Sequence, residues 1–120
     1  MTEPLNNMIS DDRQALIAAL AARSLNAYEE RSGGNVWHVS LYLLQEDQDW
    51  LAISSATDET ACDVGLMGSR HDKFTGLEAT AGERRWESVS TLEAAVAAFA
   101  RRWVAKEEWI AKFYEGVLDL

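Results

Sequence analysis

The sequence predicts an α+β fold: an N-terminal helix, an antiparallel sheet of three to five strands and a long C-terminal helix, with the helices packed on one face of the sheet. Three observations carry this expectation. Apolar residues recur at helical spacing near the start, alternate with polar ones through the middle, and return to helical spacing over the last third.

Ser10 followed by Asp11 and Asp12 has the form of a helix start, with a capping oxygen and two carboxylates beside the positive helix end. Leu16, Ile17, Leu20, Ala21, Leu25 and Tyr28 follow at helical spacing, and Gly33-Gly34 suits a left-handed C-terminal cap. The first helix is therefore expected over 11–31. In NVWHVSLYLL, Trp37, Val39, Leu41 and Leu43 alternate with His38, Ser40 and Tyr42, the two-residue period of a strand. The polar QEDQD at 45–49 reads as a turn, and WLAIS as the partner strand with Leu51 and Ile53 on one face. A third strand is expected over Cys62–Met67, with Cys62, Val64 and Leu66 pointing one way and a glycine turn after it; 74–80 and 84–89 would add one or two more. Ser90-Thr91-Leu92-Glu93 fits a capping box. Beyond it Leu92, Val96, Phe99, Trp103, Ile110, Phe113 and Val117 mark one face of a long helix that Gly116 would end or bend. Residues 1–9 are expected to fray ahead of a single domain spanning 1–120.

Composition narrows the function classes. The chain has one cysteine, Cys62, so no internal disulfide forms and a reducing compartment is expected. MTEPLNNMISDD has neither a basic n-region nor an apolar core, and no apolar run reaches the roughly 18 residues of a membrane span, so a cytoplasmic protein without membrane contact is expected. The net charge of −9 opposes direct binding to nucleic acid, whose phosphates are held by lysine and arginine. The distribution says more than the total. Residues 1–69 carry a net −8 and residues 70–120 a net −1, and between Arg31 and Arg70 there is no lysine or arginine. Glu46, Asp47, Asp49, Asp58, Glu59 and Asp63 all fall in that base-free span, with Trp37 and Trp50 beside them.

No residue set has the pattern of catalytic or metal chemistry. Cys62 is the lone thiol and His38 and His71 are the imidazoles available to activate it; Asp63 next door would raise the thiol pKa rather than lower it. One cysteine and two distant histidines lack zinc-ligand spacing, and Asp47, Asp49 and Asp58 lack the glycine and closing glutamate of a calcium loop. No catalytic residue, metal or cofactor is assigned. Of the five tryptophans, Trp37 and Trp103 fall on apolar stripes and read as core, whereas Trp50, Trp86 and Trp109 sit at element edges, where aromatics serve either packing or partner contact.

In two short segments the chain resembles domains of the tryptophan-glycine-arginine (WGR) type. Val64-Gly65 and Gly68 match the tail of their W-G-R-x-G-x-x-G strand, and Phe99, Trp103, Lys106 and Trp109 their aromatic helix. The three naming positions are Ala61, Cys62 and Asp63, so a carboxylate stands where the nucleic-acid-facing arginine would be, and the resemblance implies at most a degenerate nucleic-acid-associated domain.

The expected function is that of a small acidic, non-catalytic binding protein, an inhibitor or immunity-type factor covering the basic surface of a nuclease, toxin or nucleic-acid-binding complex as a mimic of nucleic-acid charge. Glu46, Asp47, Asp49, Trp50, Asp58, Glu59 and Asp63 are the candidate contacts. The alternative is an acidic dimeric secretion chaperone or adaptor, its homodimer built on the sheet or on the aromatic final helix of Trp103, Trp109, Phe113 and Tyr114.

Overall fold

The computed structural model describes residues 10–31, 37–57, 62–70, 77–79 and 87–115. Its elements are α1 (Ser10–Ala21), β1 (Tyr28–Arg31), β2 (Trp37–Glu46), β3 (Asp49–Thr57), β4 (Cys62–Arg70), β5 (Leu77–Ala79), β6 (Glu87–Val89), α2 (Leu92–Val104) and α3 (Lys106–Glu115). All strand pairings are antiparallel, in the order β1-β2-β3-β4-β5. Short β6 shares the far edge of β4 with β5: β6 pairs with Cys62–Val64 and β5 with Gly68–Arg70, so the two occupy one strand position end to end. The fold is α+β.

Register explains where the core lies. Val39 faces Ser55, Leu41 faces Ile53, and these face Val64 and Leu66 in turn, which places all of them on one side of the sheet. That side packs with Leu16 and Leu20 of α1 and Ala95, Val96, Ala98 and Phe99 of α2 into one buried cluster, against which Trp103 and Trp109 also rest. All three helices therefore lie on one face. Ser55 shares that face without penalty, since its hydroxyl accepts from Val39 N at 3.0 Å and donates to Val39 O at 3.4 Å.

Four local expectations are corrected. The first helix stops at Ala21, not at residue 31, and residues 28–31 form strand β1. The stop is a Schellman motif: Ser24 takes a left-handed φ of 63°, Leu25 N bonds Leu20 O and Ser24 N bonds Ala21 O, both at 2.9 Å. Buried Leu20 and Leu25 supply the apolar contact of that motif. The expected turn at 45–49 shrinks to Asp47–Gln48, because β2 and β3 stay paired to Glu46↔Asp49. Gly65 and Gly68 lie within β4, paired to Ser54 and Leu51, so no glycine turn follows Met67; Gly68 is flanked by strands on both edges and Gly65 by β3 on one. The N-cap of α2 is Thr91 rather than Ser90, its hydroxyl accepting from Ala94 N at 3.1 Å. The long C-terminal helix is present, divided at Ala105, whose N–H bonds back to Arg101 O and Trp103 O.

Glu87 fastens β6 to α2. Arg101 Nη2 donates to its two oxygens at 2.6 and 2.7 Å, and Arg102 Nη1 donates to Oε1 at 2.6 Å. Partial burial works to raise the Glu87 pKa, but the hydrogen bonds and charges of Arg102 and Arg101 outweigh it and hold the carboxyl below its usual value. A depressed carboxylate contributes its stability above its unfolded pKa of about 4.3 and loses it as pH falls through the folded value. Glu87→Gln is therefore expected to cost at most about 1 kcal/mol at neutral pH, since these side chains are partly open to solvent. Urea midpoints of wild type and variant should converge as the pH drops below about 4.

Candidate functional site

The β2–β3 hairpin ends in a concentration of negative charge. Glu46 and Asp49 are direct cross-strand partners, and Asp47 occupies the intervening turn with a positive φ of 24°, the sense that two-residue hairpin loops favour. Aspartate tolerates that conformation, which accounts for Asp47 as a turn residue. It does not account for its neighbours, because like charges directly opposite each other work against the sheet. Glu46 also accepts from Tyr114 Oη at 3.3 Å, so α3 reaches the hairpin end.

Pairing places Trp50 opposite Ser69, on the sheet face away from the helices. Glu46, Asp47, Asp49 and Trp50 thus share the hairpin end, but alternation turns Trp50 to the helix-free face and Glu46 and Asp49 to the helix side, where Tyr114 meets Glu46. Asp63 is elsewhere. It pairs with Ala56, six residues along β3 from Trp50, or about 20 Å at strand rise. There it accepts from Ser88 Oγ at 2.6 Å. Asp58, Glu59, His71 and Trp86 lie outside the described residues.

Cys62 and His38 point to opposite faces of the sheet. Cys62 is buried in the helix-side core. His38 alternates with Val39, and its Nδ1 lies 3.0 Å from Ser55 O, a contact that requires the Nδ1–H tautomer because a carbonyl only accepts. Burial first, then the charges of Asp63 and Asp12, push the Cys62 thiol up to about 12. Native protein is expected to leave Cys62 unmodified by a thiol reagent at pH 8, with modification only on unfolding; rapid labelling of native protein would contradict its packing. Among the described residues no three histidine, cysteine, aspartate or glutamate side chains converge as a metal site.

The basic side chains have a place of their own. Arg13 lies on α1, Arg23 just after it, and Arg101, Arg102, Lys106 and Lys112 on α2 and α3. Arg31, at the end of β1, pairs with Trp37 and stacks on its ring from the helix side, as does Arg13. Trp37, expected in the core, is half-buried beneath those two guanidinium groups. Trp103 and Trp109 carry Lys106 and Lys112 over their rings in the same manner, at 4.0 and 5.2 Å. On the other face, strand alternation places Glu30 and Asp63 and, among the described residues, no lysine or arginine. The helix side holds most of the described basic groups together with Asp11, Asp12, Glu29, Glu93, Glu107, Glu108 and Glu115, and Arg70 ends β4 next to Ser69, the partner of Trp50.

Sequence reading passed over Tyr28, Glu30 and Tyr42, which meet on the helix-free face. Tyr42 Oη donates to Glu30 Oε1 at 2.6 Å. Burial first, then this bond and the Glu30 charge, hold the phenol well above its usual value. Buried Leu25 and Ala27 alternating with exposed Asn26 and Tyr28 was the signal that a strand begins there.

Comparison with protein-family models, with curated proteins and with solved structures found no match.

Proposed function

We propose that this chain is a small acidic, non-catalytic binding protein that covers a basic surface of a partner protein. The partner class is a nuclease, a toxin or a nucleic-acid-binding complex, and the mode is that of an inhibitor or immunity-type factor. One observation carries the reading: Glu46, Asp47 and Asp49 crowd the end of one hairpin, with Trp50 at its base. A hairpin end of this kind steers a cationic surface toward itself, and a half-buried tryptophan at its base supplies apolar contact area. Residence in the cytoplasm is part of the proposal. The described helices supply only the statement that none is long and apolar enough to cross a membrane.

Paired affinity capture tests it, with wild type and an E46Q/D47N/D49N variant as baits and quantitative mass spectrometry as readout. The account expects a basic protein enriched by wild type and depleted with the variant. An identical set of proteins on both baits would refute it.

A second reading, the dimeric chaperone or adaptor, is favoured by a different observation. Val104 is 84% exposed at the α2–α3 junction, directly after half-buried Trp103. Light scattering separates the two, since a strict monomer at micromolar concentration removes the dimer.

A further inference from the structure

We infer that the row Tyr28–Tyr42–Trp50, on the sheet face opposite the helices, is a docking strip for arginine side chains of the partner. This deepens the function proposed above and rests on it. The three rings come from β1, β2 and β3. The Tyr28 and Tyr42 centroids are 6.0 Å apart at 38°, and those of Tyr42 and Trp50 are 5.9 Å apart at 65°. Cross-strand aromatic pairing is itself a stabilising device of sheets, which accounts for Tyr42 against Trp50. It does not account for Tyr28, which remains 46% exposed on a four-residue edge strand while the middle of the same face (Ser40, Ala52, Ser54) is buried.

Charge selects the occupant. The Glu30 carboxylate is held against the row on the same face by Tyr42 Oη at 2.6 Å, and beyond the Trp50 end lies the hairpin turn with Asp47, flanked at the sheet edge by Glu46 and Asp49. A guanidinium group stacks flat on an aromatic ring while its N–H fork pairs with a neighbouring carboxylate, and a strip offering both suits arginine better than lysine. A second copy of the chain would set Glu30 and the hairpin end against like charge in a protein of net −9. Nucleic acid is repelled for the same reason. The occupant is a protein segment bearing arginines.

The test is an NMR titration of the isotope-labelled protein with oligoarginine and oligolysine peptides of equal length. Oligoarginine should shift the Trp50 indole signal and amides of β1 and β3. Tyr28→Ala, at an exposed ring, should weaken binding by about two- to fivefold. Tyr42→Phe, which keeps the ring and frees Glu30, should also weaken it, whereas Val104→Ala should not. Oligolysine should bind more weakly at the same place. Shifts confined to 45–49 with Tyr28→Ala at wild-type affinity would overturn the strip. So would equal binding of both peptides, failure of oligoarginine to bind, or concentration-dependent shifts of the same signals in free protein. None of these alters the capture result, which judges the broader function separately.

Discussion

Replacing Phe99 with alanine is expected to destabilise the protein by about 3–5 kcal/mol, the cost of truncating a buried phenylalanine in a core that relaxes only partly. Phe99 is fully buried on α2 in the same cluster as Leu16 and Leu20 of α1 and as Val39, Ile53, Val64 and Leu66 of the sheet. That core is built jointly by two helices and the sheet, so no single element can move to close the space left behind. Against a total stability of about 5–15 kcal/mol for a domain, that loss is a large fraction. Urea unfolding should show a lowered midpoint with little change in slope. Val104→Ala, at an exposed position, should stay within about 0.5 kcal/mol of wild type. Equal effects of the two substitutions would contradict the packing of helices on this face.

The second large effect concerns association. Electrostatic steering raises on-rates by about 10- to 1,000-fold, and the charges responsible are those nearest the encounter surface. Glu46, Asp47 and Asp49 lie within four residues at one hairpin end, so E46Q/D47N/D49N is expected to slow association with the captured partner about tenfold at low salt. The difference should shrink at high ionic strength, where screening removes the advantage of wild type. The variant should remain folded within about 1 kcal/mol of wild type, since the change is confined to the hairpin end and glutamine at 46 can still accept from Tyr114. Stopped-flow mixing across a salt series measures this, and rates that match wild type at low salt would count against the hairpin end as the docking surface.

Much of the fold was legible because its signals are periodic. The alternation from Trp37 to Tyr42 and the apolar stripe from Leu92 to Trp103 each needs one regular element to bury its apolar side, and both elements formed. What was not legible depends on single residues or on partners distant in sequence. Helical spacing carried the first helix on to Tyr28, although a left-handed serine, not a glycine, turns the chain at residue 24. The register shift between Tyr42 and Leu44 leaves Leu43 packed on the core while Leu44 takes up pairing with Leu51, and strict alternation cannot show such a bulge. Gly65 and Gly68 resemble turn residues only until neighbours on both edges of β4 are known.

The candidate site was legible as charge but not as shape. Residues close in sequence at the hairpin end stayed together, whereas Asp63, in the same base-free span, belongs to the opposite end of the sheet. The aromatic row escaped notice because Tyr28 and Glu30 were read as helix, which would have separated them from Tyr42.

Amide hydrogen exchange on the protein, free and bound to its captured partner, bears most directly on the claim that the acidic hairpin end meets a basic surface. Slowed exchange at 44–51, with α2 and α3 unchanged, is the predicted footprint. Protection centred on the α2–α3 junction around Val104, with the hairpin exchanging as in the free protein, would contradict it.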